Sequence, residues 1–387
     1  MTISASHLAE ARAWRHDFHR HPELGFKEVR TAGIVAGLLE SWGLRVRRGI
    51  AGTGVVATLG DGSGPSIGIR ADMDALPITE ETGLPYASSA PGVMHACGHD
   101  GHMATLLLTA RLAAEAWARG EGRAEGRGSV QFIFQPAEEN DGGARVMIED
   151  GLFDHAPCDQ VFALHNWPGL APGQVVAGPG AMMAAFAVWD ITLRGRGGHA
   201  AMPHLSEGLI SAAMALGLAL HEIPARRIDP LDPAVLTVTQ VHTGTAWNVS
   251  PERAVLSGTA RWFSQSAGDL LEDNLRRLAR TIAESQGCTA EVEYQRRYPA
   301  TVNSPDAAAL ALQAAQDAGL SPVAGGPSMA SEDFAYMLQG RPGAYLWLGA
   351  AREGENPGLH SPRFDFDDAL LGQGAALWLA LIRRTLA

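Results

Sequence analysis

The stretch MHACGHDGHMA, residues 94–104, is the densest group of potential metal ligands in the sequence. It places His95, Cys97, His99 and His102 within eight positions. Imidazole nitrogens and thiolate sulfur bind transition metals, whereas a cysteine of low pKa can also carry out redox chemistry. A redox cysteine needs a resolving partner, and the other two cysteines lie far away in the sequence. The stretch therefore favours metal binding.

Further potential ligands come directly after segments that are typical of β-strands. They are Asp72 and Asp74 after SIGIR, Glu138 and Glu139 after VQFIFQ, and His165 after QVFAL, with His360 near the C-terminus in GLHSP. In open α/β sheets, binding sites form beyond the carboxyl ends of the strands. Side chains two apart on an extended chain point the same way, so we expect Asp72 and Asp74 to face one site. Together these segments predict a polar metal centre.

Each of these residues also has a structural interpretation when it is considered alone. An aspartate pair before a turn is usual turn chemistry, and Cys97 alone would be a small buried hydrophobe. A structural zinc site would need four Cys or His ligands in a tight pattern, which the dispersed carboxylates do not match. A hydrolase with Cys97 as nucleophile is a further alternative, but the sequence shows no orienting triad. The joint occurrence of the segments is what favours a catalytic metal centre.

Two successive patterns of helices and strands must position these residues. The first part of the chain alternates predicted helices with near-continuous apolar strands, and the same pattern returns near residue 300. Such alternation predicts an α/β domain with a mostly parallel sheet covered by helices. From about residue 180 the pattern changes to β-α-β-β-α-β, which is typical of a compact α+β, ferredoxin-like unit. We therefore expect a domain of residues 1–181 and 298–387, interrupted by an inserted domain of residues 182–297.

The composition excludes several classes of partner. The 387 residues include 30 basic and 42 acidic ones, for a formal net charge of −12, which disfavours nucleic acid and anionic membranes as partners. Three cysteines without a CxxC pair predict a reducing compartment rather than a disulfide framework. The N-terminal residues carry no apolar signal region, and no apolar run approaches the roughly 18 residues of a membrane span. We expect a cytoplasmic protein.

Eight motifs relate the chain to a known family. HPELGF, RADMDALP, MHACGHDGHMA, QPAEE, ALHNWPG, GGHAAMPH, GTAWNVSPE and SEDF occur in this order. Together they resemble the M20 metallopeptidase family, and within it the amidohydrolase subfamily. That group includes hippurate hydrolase-like, N-acetyldiaminopimelate deacetylase-like and auxin-conjugate hydrolase-like enzymes. The resemblance implies a two-metal catalytic domain interrupted by a smaller lid domain, through which such enzymes commonly form homodimers or higher homo-oligomers.

The resemblance assigns the metal centre to particular residues. The implied metal ligands are Cys97, His99, Glu139, His165 and His360. Thiolate, imidazole and carboxylate together suit two ions of Zn, Mn, Co or Ni better than Mg or Ca. Glu138 matches the general base of the family. Asp74 matches an aspartate that orients a metal ligand without binding the metal itself.

The implied lid contributes residues of its own. His199 matches a lid histidine that reaches an active site, often that of the partner subunit, where it would help to stabilise an oxyanion. Asn248 and Arg261 match positions that contact a substrate carboxylate. Each also has a structural interpretation, as the cap of a glycine-rich turn, a turn asparagine and an exposed strand arginine. The SEDF segment, residues 331–334, is expected to line the catalytic pocket or to support a ligand.

Several other histidines are expected to support the site rather than to bind metal. Asp100 and His102 lie in the Cys/His motif, but they match positions that are not ligands in the subfamily. For His102 we expect a role at the helix start or in orienting a ligand. His16, His19 and His21 form a second cluster beside HPELG. That segment is non-ligating in the family, so structural or substrate-side roles are expected there.

The implied function is metal-dependent hydrolysis of the amide bond of N-acyl amino acids. Acetyl, benzoyl or similar acyl groups would leave as carboxylates, and a free amino acid would be released. Two alternatives remain at this level. One is a small-peptide metallohydrolase of the dipeptidase or aminopeptidase type, and the other is a binding protein that kept the fold without catalysis. Loss of activity with a chelator would separate the enzymes from the binding protein.

Overall fold

The computed structural model describes residues 2–120, 128–139, 141–352, 354 and 356–386. Its helices are α1 Ala5–Arg20, α2 Val29–Ser41, α3 His99–Ala118, α4 Gly143–Glu149, α5 Leu152–His155, α6 Leu209–Arg227, α7 Gln265–Ser285, α8 Pro305–Asp317, α9 Ala335–Gly340 and α10 Ala369–Leu386, with a 3₁₀ turn at Pro203–Leu205. Its strands are β1 Arg45–Ile50, β2 Gly54–Gly60, β3 Ser66–Asp72, β4 Ser129–Gln135, β5 Gln160–Trp167, β6 Gln174–Val176, β7 Gly180–Met183, β8 Ala185–Arg194, β9 Gly198–His199, β10 Ala234–Thr243, β11 Val249–Ser250, β12 Arg253–Trp262, β13 Thr289–Tyr298, β14 Thr301–Asn303, β15 Ser321–Pro322 and β16 Gly343–Gly349.

The chain divides into two compact units. The first unit comprises Met1–Met182, Thr301–Gly326 and Asp333–Ala387, and the second comprises Met183–Ala300 and Pro327–Glu332. The second unit extends beyond residues 182–297 because Tyr298 still pairs with Phe186 at the end of β13. It also takes residues 327–332, which the sequence pattern assigns to the other domain. The reason is that the Ala184 N–H donates to the Ser328 and Ala330 carbonyls, at 3.0 and 2.9 Å.

The first unit contains an eight-stranded mixed sheet in the order β1-β2-β4-β3-β5-β16-β6-β15. Strands β4, β3, β5 and β16 are mutually parallel and form its centre. The β1–β2 and β2–β4 pairs are antiparallel, as is the β16–β6 pair. The prediction of a mostly parallel sheet is correct for the central strands, and the short β6–β15 pair at one edge is also parallel. The flanking strands belong to a hairpin and to a short returning segment, which parallel crossover connections do not produce.

Burial of the central strands explains their nearly continuous apolar sequence. Every residue of β4 and of β16 is buried. Helices α2, α3, α4, α8 and α10 pack against strands of the sheet. A strand that is covered on both faces cannot alternate apolar with polar residues, so the few polar residues in such strands need a specific partner. Arg70 in β3 and Gln135 in β4 are two such residues, and both lie at the end of the strand nearest the candidate site.

The second unit contains an antiparallel four-stranded sheet in the order β10-β12-β8-β13. Its long elements follow one another as β8, α6, β10, β12, α7 and β13, the β-α-β-β-α-β order that the sequence pattern indicates. Helices α6 and α7 pack on each other and on these strands. Strand β12 alternates buried and partly buried residues along its length, as expected for a sheet with one face on a core. Within the described residues, no helix is both long enough and apolar enough to cross a membrane.

Candidate metal centre

The proposed metal ligands converge at one edge of the central sheet. Strands β4, β3 and β5 are neighbours, and their carboxyl ends carry Glu138 and Glu139, Asp72 and Asp74, and His165, respectively. Cys97 and His99 enter from the loop that begins α3. His360 joins them because its backbone N–H donates to the Ala96 carbonyl at 2.8 Å. Segments far apart in the sequence thus meet at the strand ends.

All five residues of the proposed ligand set fall into two overlapping groups. In the first, ligand atoms of Cys97, His99 and His165 all lie within 4.8 Å of one another, and in the second those of Cys97, Glu139 and His360 do so. Cys97 Sγ is 3.3 Å from His165 Nε2, and Glu139 Oε1 is 3.2 Å from His360 Nε2. Cys97 is therefore shared by two sets of ligands, an arrangement that can hold two ions.

Two of the histidines are oriented by backbone carbonyls. His99 Nδ1 lies 2.8 Å from the Asp74 carbonyl oxygen, and His165 Nδ1 lies 2.7 Å from that of Asn166. A carbonyl oxygen only accepts, so both rings carry a hydrogen on Nδ1, which leaves Nε2 as the nitrogen of each ring that can bind a metal. Orientation of a metal-binding histidine through its other nitrogen is the usual arrangement in metalloproteins.

Unsatisfied buried atoms fit a bound cation. Among the described residues, His99 Nε2 is buried without a hydrogen-bond partner, and Glu139 Oε1 is buried with only its 3.2 Å ion-pair contact to His360 Nε2. Leaving such groups unpaired costs roughly 1–3 kcal/mol each. Burial, followed by the charges of Glu139 and Glu138, raises the pKa of the Cys97 thiol well above its ordinary value. A thiolate at this position therefore requires a cation, and the thiolate, imidazole and carboxylate donors suit a transition metal.

Burial and neighbouring charges shift the pKa values of His99 and His165 in opposite directions. Burial lowers the pKa of His99, but Asp72 and Asp74 outweigh it and raise that pKa to about 10. Burial and the neighbouring His102 hold the pKa of His165 well below its ordinary value. A metal ligand must be neutral imidazole, so metal binding must displace a proton from His99. His165 is already neutral near pH 7.

Asp74 organises the turn that carries the two glutamates. Its carboxylate accepts the backbone N–H of Glu138 at 2.9 Å and that of Glu139 at 2.8 Å. Ala137, just before them, has the left-handed φ of +54°. Asp72 makes its shortest contacts with Arg70 and His102, at 2.7 Å in each case. The carboxylates of Asp72 and Asp74 both lie within 3.7 Å of His99, one on each ring nitrogen, so the two aspartates face the same residue as expected.

Glu138 lies beside the cluster without belonging to the five-residue set. One of its carboxylate oxygens lies within 4.8 Å of ligand atoms of His99 and Glu139. Glu138 is only 7 % exposed, and its Oε1 accepts the Asp333 N–H at 3.4 Å. A buried carboxylate held next to these ligand atoms could exchange protons with a water molecule bound there.

A buried polar network supports these strand ends, and most of it was not predicted from the sequence. Arg70 and Gln135 both bond to the carboxylate of Asp333, at 3.1 and 2.8 Å. His102 bridges Asp72 and Asn166, at 2.7 Å on each side, which fits the expected supporting role. The available signal was the presence of an arginine and a glutamine inside two otherwise apolar strands.

The N-terminal histidines belong to a second network behind the Cys/His loop. Burial lowers the pKa of His19, but Asp100, which lies 2.8 Å from Nδ1, outweighs it and raises that pKa to about 9. Arg15 is fully buried and contacts Asp100 and Asp365, at 3.5 and 3.0 Å. His16 contacts Asp368 at 2.9 Å, and His21 contacts the Asp17 carbonyl oxygen at 2.9 Å. In the described residues these histidines have structural partners, and none joins the ligand groups.

The second unit brings two of its three predicted residues together. His199 on β9 and Asn248 beside β11 line one groove of about 660 Å³. The backbone fixes this arrangement, since the Ala200 N–H donates to the Asn248 carbonyl at 3.0 Å and His199 pairs with Val249. His199 also accepts the Ala201 N–H at 3.1 Å, which is the turn-capping contact that its structural interpretation expects.

Arg261 is held separately from that groove. Its guanidinium donates to Ser331 Oγ at 2.5 Å and lies 4.4 Å from the centre of the Phe186 ring. Burial lowers its pKa, so the residue is not the freely exposed strand arginine of the structural interpretation. Ser331, at the start of the SEDF segment, therefore orients an arginine of the second unit, whereas Asp333 two residues later supports the glutamate turn.

Comparison with known proteins places this site in a family. Residues 68–384 match Peptidase family M20/M25/M40. The chain belongs to this family. The N-acetylcysteine deacetylase of Bacillus subtilis is 38% identical over 92% of the chain and 92% of its own length. The hippurate hydrolase of Campylobacter jejuni is 38% identical over 95% of the chain and 94% of its own length.

A solved relative within the M20 family shows the same architecture. The YXEP protein of Bacillus subtilis, described as a dinuclear metal binding peptidase, is 33% identical. The comparison covers 98% of each chain with a TM-score of 0.85. Family membership and the named amidohydrolase relatives make this M20 protein a metal-dependent amidohydrolase.

Proposed function

We propose that this enzyme hydrolyses the amide bond of N-acyl amino acids, and that it uses two divalent ions held by Cys97, His99, Glu139, His165 and His360. The observation that carries the proposal is the cluster of these five residues, in which Cys97, His99 and His165 are buried and His360 is exposed, with the buried Glu138 beside it. Relatives named for the hydrolysis of hippurate and of N-acetylcysteine support the substrate class.

The chain's own residues would divide the reaction between them. The ions, when bound, would polarise the substrate carbonyl and acidify the attacking water. Glu138 would take the proton of that water and deliver it to the departing amine nitrogen, so that one carboxylate serves as base and then as acid. Asp74 would keep Glu138 and Glu139 in place through their backbone N–H groups.

The second unit would supply substrate contacts. Arg261 and Asn248 would bind the free carboxylate of the amino acid, and His199 would donate to the oxyanion. The orientation of Arg261 by Ser331 and Phe186 supports this, because a pre-oriented guanidinium loses little freedom on binding. We expect Arg261→Ala to raise KM for carboxylate substrates.

The second unit would also act as lid and as dimerisation domain. Helix α6 carries Ile210, Met214 and Leu218 at four-residue spacing, and all three are exposed. Residues at this spacing form one stripe along a helix. Strand β10 lies at the edge of its sheet, where its outer backbone groups are unpaired by the sheet. An apolar stripe beside a sheet edge supports association with a second copy of the chain.

A small-peptide hydrolase is the second candidate. The thermostable carboxypeptidase 1 of Saccharolobus solfataricus is 35% identical over 93% of the chain and 91% of its own length. Peptide and N-acyl amide bonds need the same water activation, so the metal centre does not distinguish them. The distinction must come from the substrate.

A substrate panel tests the proposed function. Metal-free protein is reconstituted with Zn, Mn, Co or Ni and incubated with N-acetyl amino acids, N-benzoylglycine and dipeptides, with detection of the released amine. We expect turnover of the N-acyl amino acids and its loss with a chelator. Turnover of dipeptides alone would favour the second candidate, and activity that survives chelation would contradict the metal mechanism.

Glu138→Gln tests the assigned base. We expect the variant to keep its metal content and to lose at least 100-fold in kcat, within the range of general acid–base catalysis. Glu149→Gln is the matched control, because Glu149 is an exposed residue paired with Arg145 on α4. A Glu138→Gln variant with normal turnover would show that another group moves the proton.

A further inference from the structure

We propose that Glu28 is a positioning residue for the catalytic turn, holding the backbone that presents Glu138 and Glu139. The inference rests on the proposed function, because it assumes that Glu138 is the base and Glu139 a metal ligand. Glu28 lies two residues after the HPELGF motif, for which only structural or substrate-side roles are expected. It belongs to none of the metal-ligand groups among the described residues.

Glu28 is fully buried and both of its carboxylate oxygens are used. Oε1 accepts the Ala137 N–H at 2.9 Å, across 109 positions of sequence, and Oε2 accepts the Thr53 hydroxyl at 2.6 Å. Glu28 precedes α2, but its side chain makes no capping bond to that helix. Burying a carboxyl group costs free energy unless it is hydrogen-bonded. Because the side chain of Glu28 bonds to the Ala137 N–H and not to α2, we infer that it holds the turn in place.

The turn needs such a partner because of its conformation. Ala137 has a φ of +54°, in the left-handed region that a residue with a side chain rarely occupies. Conformations of this kind cost of order 1–3 kcal/mol and persist only where the surroundings enforce them. Three consecutive N–H groups, those of residues 137, 138 and 139, are each bound by a buried carboxylate, the first by Glu28 and the others by Asp74.

The HPELGF motif, residues 21–26, contacts the chain around Asp74 and Ala137. The Glu23 carbonyl accepts the N–H of Ala75, the residue after Asp74, at 2.8 Å. A Cβ on Gly25 would lie 3.0 Å from the Ala137 Cβ and 3.1 Å from its Cα, so only a glycine fits there without moving the turn. Residues 23–28 therefore form a clamp that touches the chain next to Asp74 and next to Glu138.

The test compares Glu28→Ala with Glu28→Gln. Gln keeps an oxygen that can accept the Ala137 N–H, whereas Ala leaves that group unbound. We expect Glu28→Ala to lose about 10- to 100-fold in kcat, the effect of misplacing a reacting group by roughly 1 Å, with KM changed less than about 2-fold. Glu28→Gln should restore kcat to within about 3-fold of the wild type.

A second measurement does not depend on activity. Zn²⁺ binding to the metal-free protein is measured by competition with a chromophoric chelator. Glu139 is in the same turn, so Glu28→Ala should weaken Zn²⁺ binding about 10-fold, the effect typical of groups that support a metal ligand. Glu40→Ala, which removes an exposed glutamate of α2 that pairs with Arg48, is the matched control and should leave both kcat and Zn²⁺ affinity unchanged.

Gly25→Ala keeps the test usable if Glu28→Ala does not fold. It pushes on Ala137 without removing the buried carboxyl group of Glu28, and a loss of kcat and Zn²⁺ affinity in the same direction is expected. The inference is overturned if a folded Glu28→Ala or Gly25→Ala has normal kcat and Zn²⁺ affinity, or if Glu28→Gln is as impaired as Glu28→Ala. Normal turnover in Glu138→Gln would instead refute the assigned base, while the effect on Zn²⁺ affinity would still test the clamp.

Discussion

Glu28 binds the Ala137 N–H with a carboxyl group that is fully buried. Burial is the main reason that the pKa of Glu28 is raised to about 7, and the hydrogen bonds from Thr53 and Ala137 offset it only in part. The negative charge of Asp74 raises it further. The group that binds the Ala137 N–H is therefore one whose ionisation the folded protein disfavours.

The raised pKa of Glu28 predicts that the stability of the folded protein depends on pH. Between pH 4.5 and about 7 an unfolded chain has released the Glu28 proton while the folded protein retains it. Stability thus falls as pH rises through this window, by up to about 3 kcal/mol. Glu28→Gln lacks this loss, so its unfolding free energy relative to wild type should rise from pH 4.5 to pH 8. Urea unfolding of the metal-free proteins measures it, and a pH-independent difference would contradict the raised pKa.

The elements around the metal centre show which parts of the site a sequence can predict. Near-continuous apolar segments identify β3, β4 and β5, and polar residues directly after them mark the strand ends where Asp74, Glu139 and His165 meet. Pairing order is not visible in these segments, so the antiparallel flanks of the sheet could not be predicted. The resemblance distinguished Cys97 and His99 from the other histidines of their motif, whereas spacing alone did not.

The residues that sequence analysis missed act through long-range contacts. Glu28 reaches Ala137 and Arg70 reaches Asp333 across 109 and 263 positions, respectively. Neither contact leaves a periodic pattern, because a single buried hydrogen bond does not repeat along a helix or strand. Such residues become recognisable only when burial is known, since a fully buried charged side chain must have a partner.

The backbone at the start of α3 sets the positions of the proposed ligands Cys97 and His99. A substitution there gives a further prediction. Gly98, between Cys97 and His99, has a φ of +98°, and a Cβ there would lie 2.4 Å from Asn166 Oδ1. Gly98→Ala should therefore displace the loop or Asn166, the residue that contacts His102. We expect weaker Zn²⁺ binding, by about 10-fold or more, in a chelator competition.

Gly120→Ala is the matched control for that variant. Gly120, two residues after α3 ends, also has a left-handed φ, of +74°, but a Cβ there would meet nothing within 4 Å. It should lose roughly 1 kcal/mol of stability from backbone strain while binding Zn²⁺ normally. Equal Zn²⁺ affinities in the two variants would show that the contact with Asn166 does not matter for the metal centre.

At the scale of the whole molecule, two features bear on the kind of partner that this protein binds. They are the net charge of −12 and the exposed apolar stripe on α6. A protein with this charge repels polyanions, so the stripe is not suited to nucleic acid or to an anionic membrane. Apolar helical faces of this kind favour another protein surface of similar character. A second copy of the chain offers the same stripe, and symmetric pairing of identical patches is the commonest form of association.

The dimer proposal gives the last prediction. Met214 and Leu218 are 67% and 74% exposed on one stripe of α6, so Met214→Glu with Leu218→Glu should place like charges across a symmetric interface. We expect the double variant to sediment as a monomer at concentrations where the wild type is a dimer. Leu231→Glu is the control, because Leu231 is 91% exposed but lies beyond the end of α6. A dimeric double variant, or a monomeric wild type, would exclude the α6 stripe as the interface. If His199 acts on the partner's substrate, the monomer should also lose turnover while its Zn²⁺ affinity stays normal.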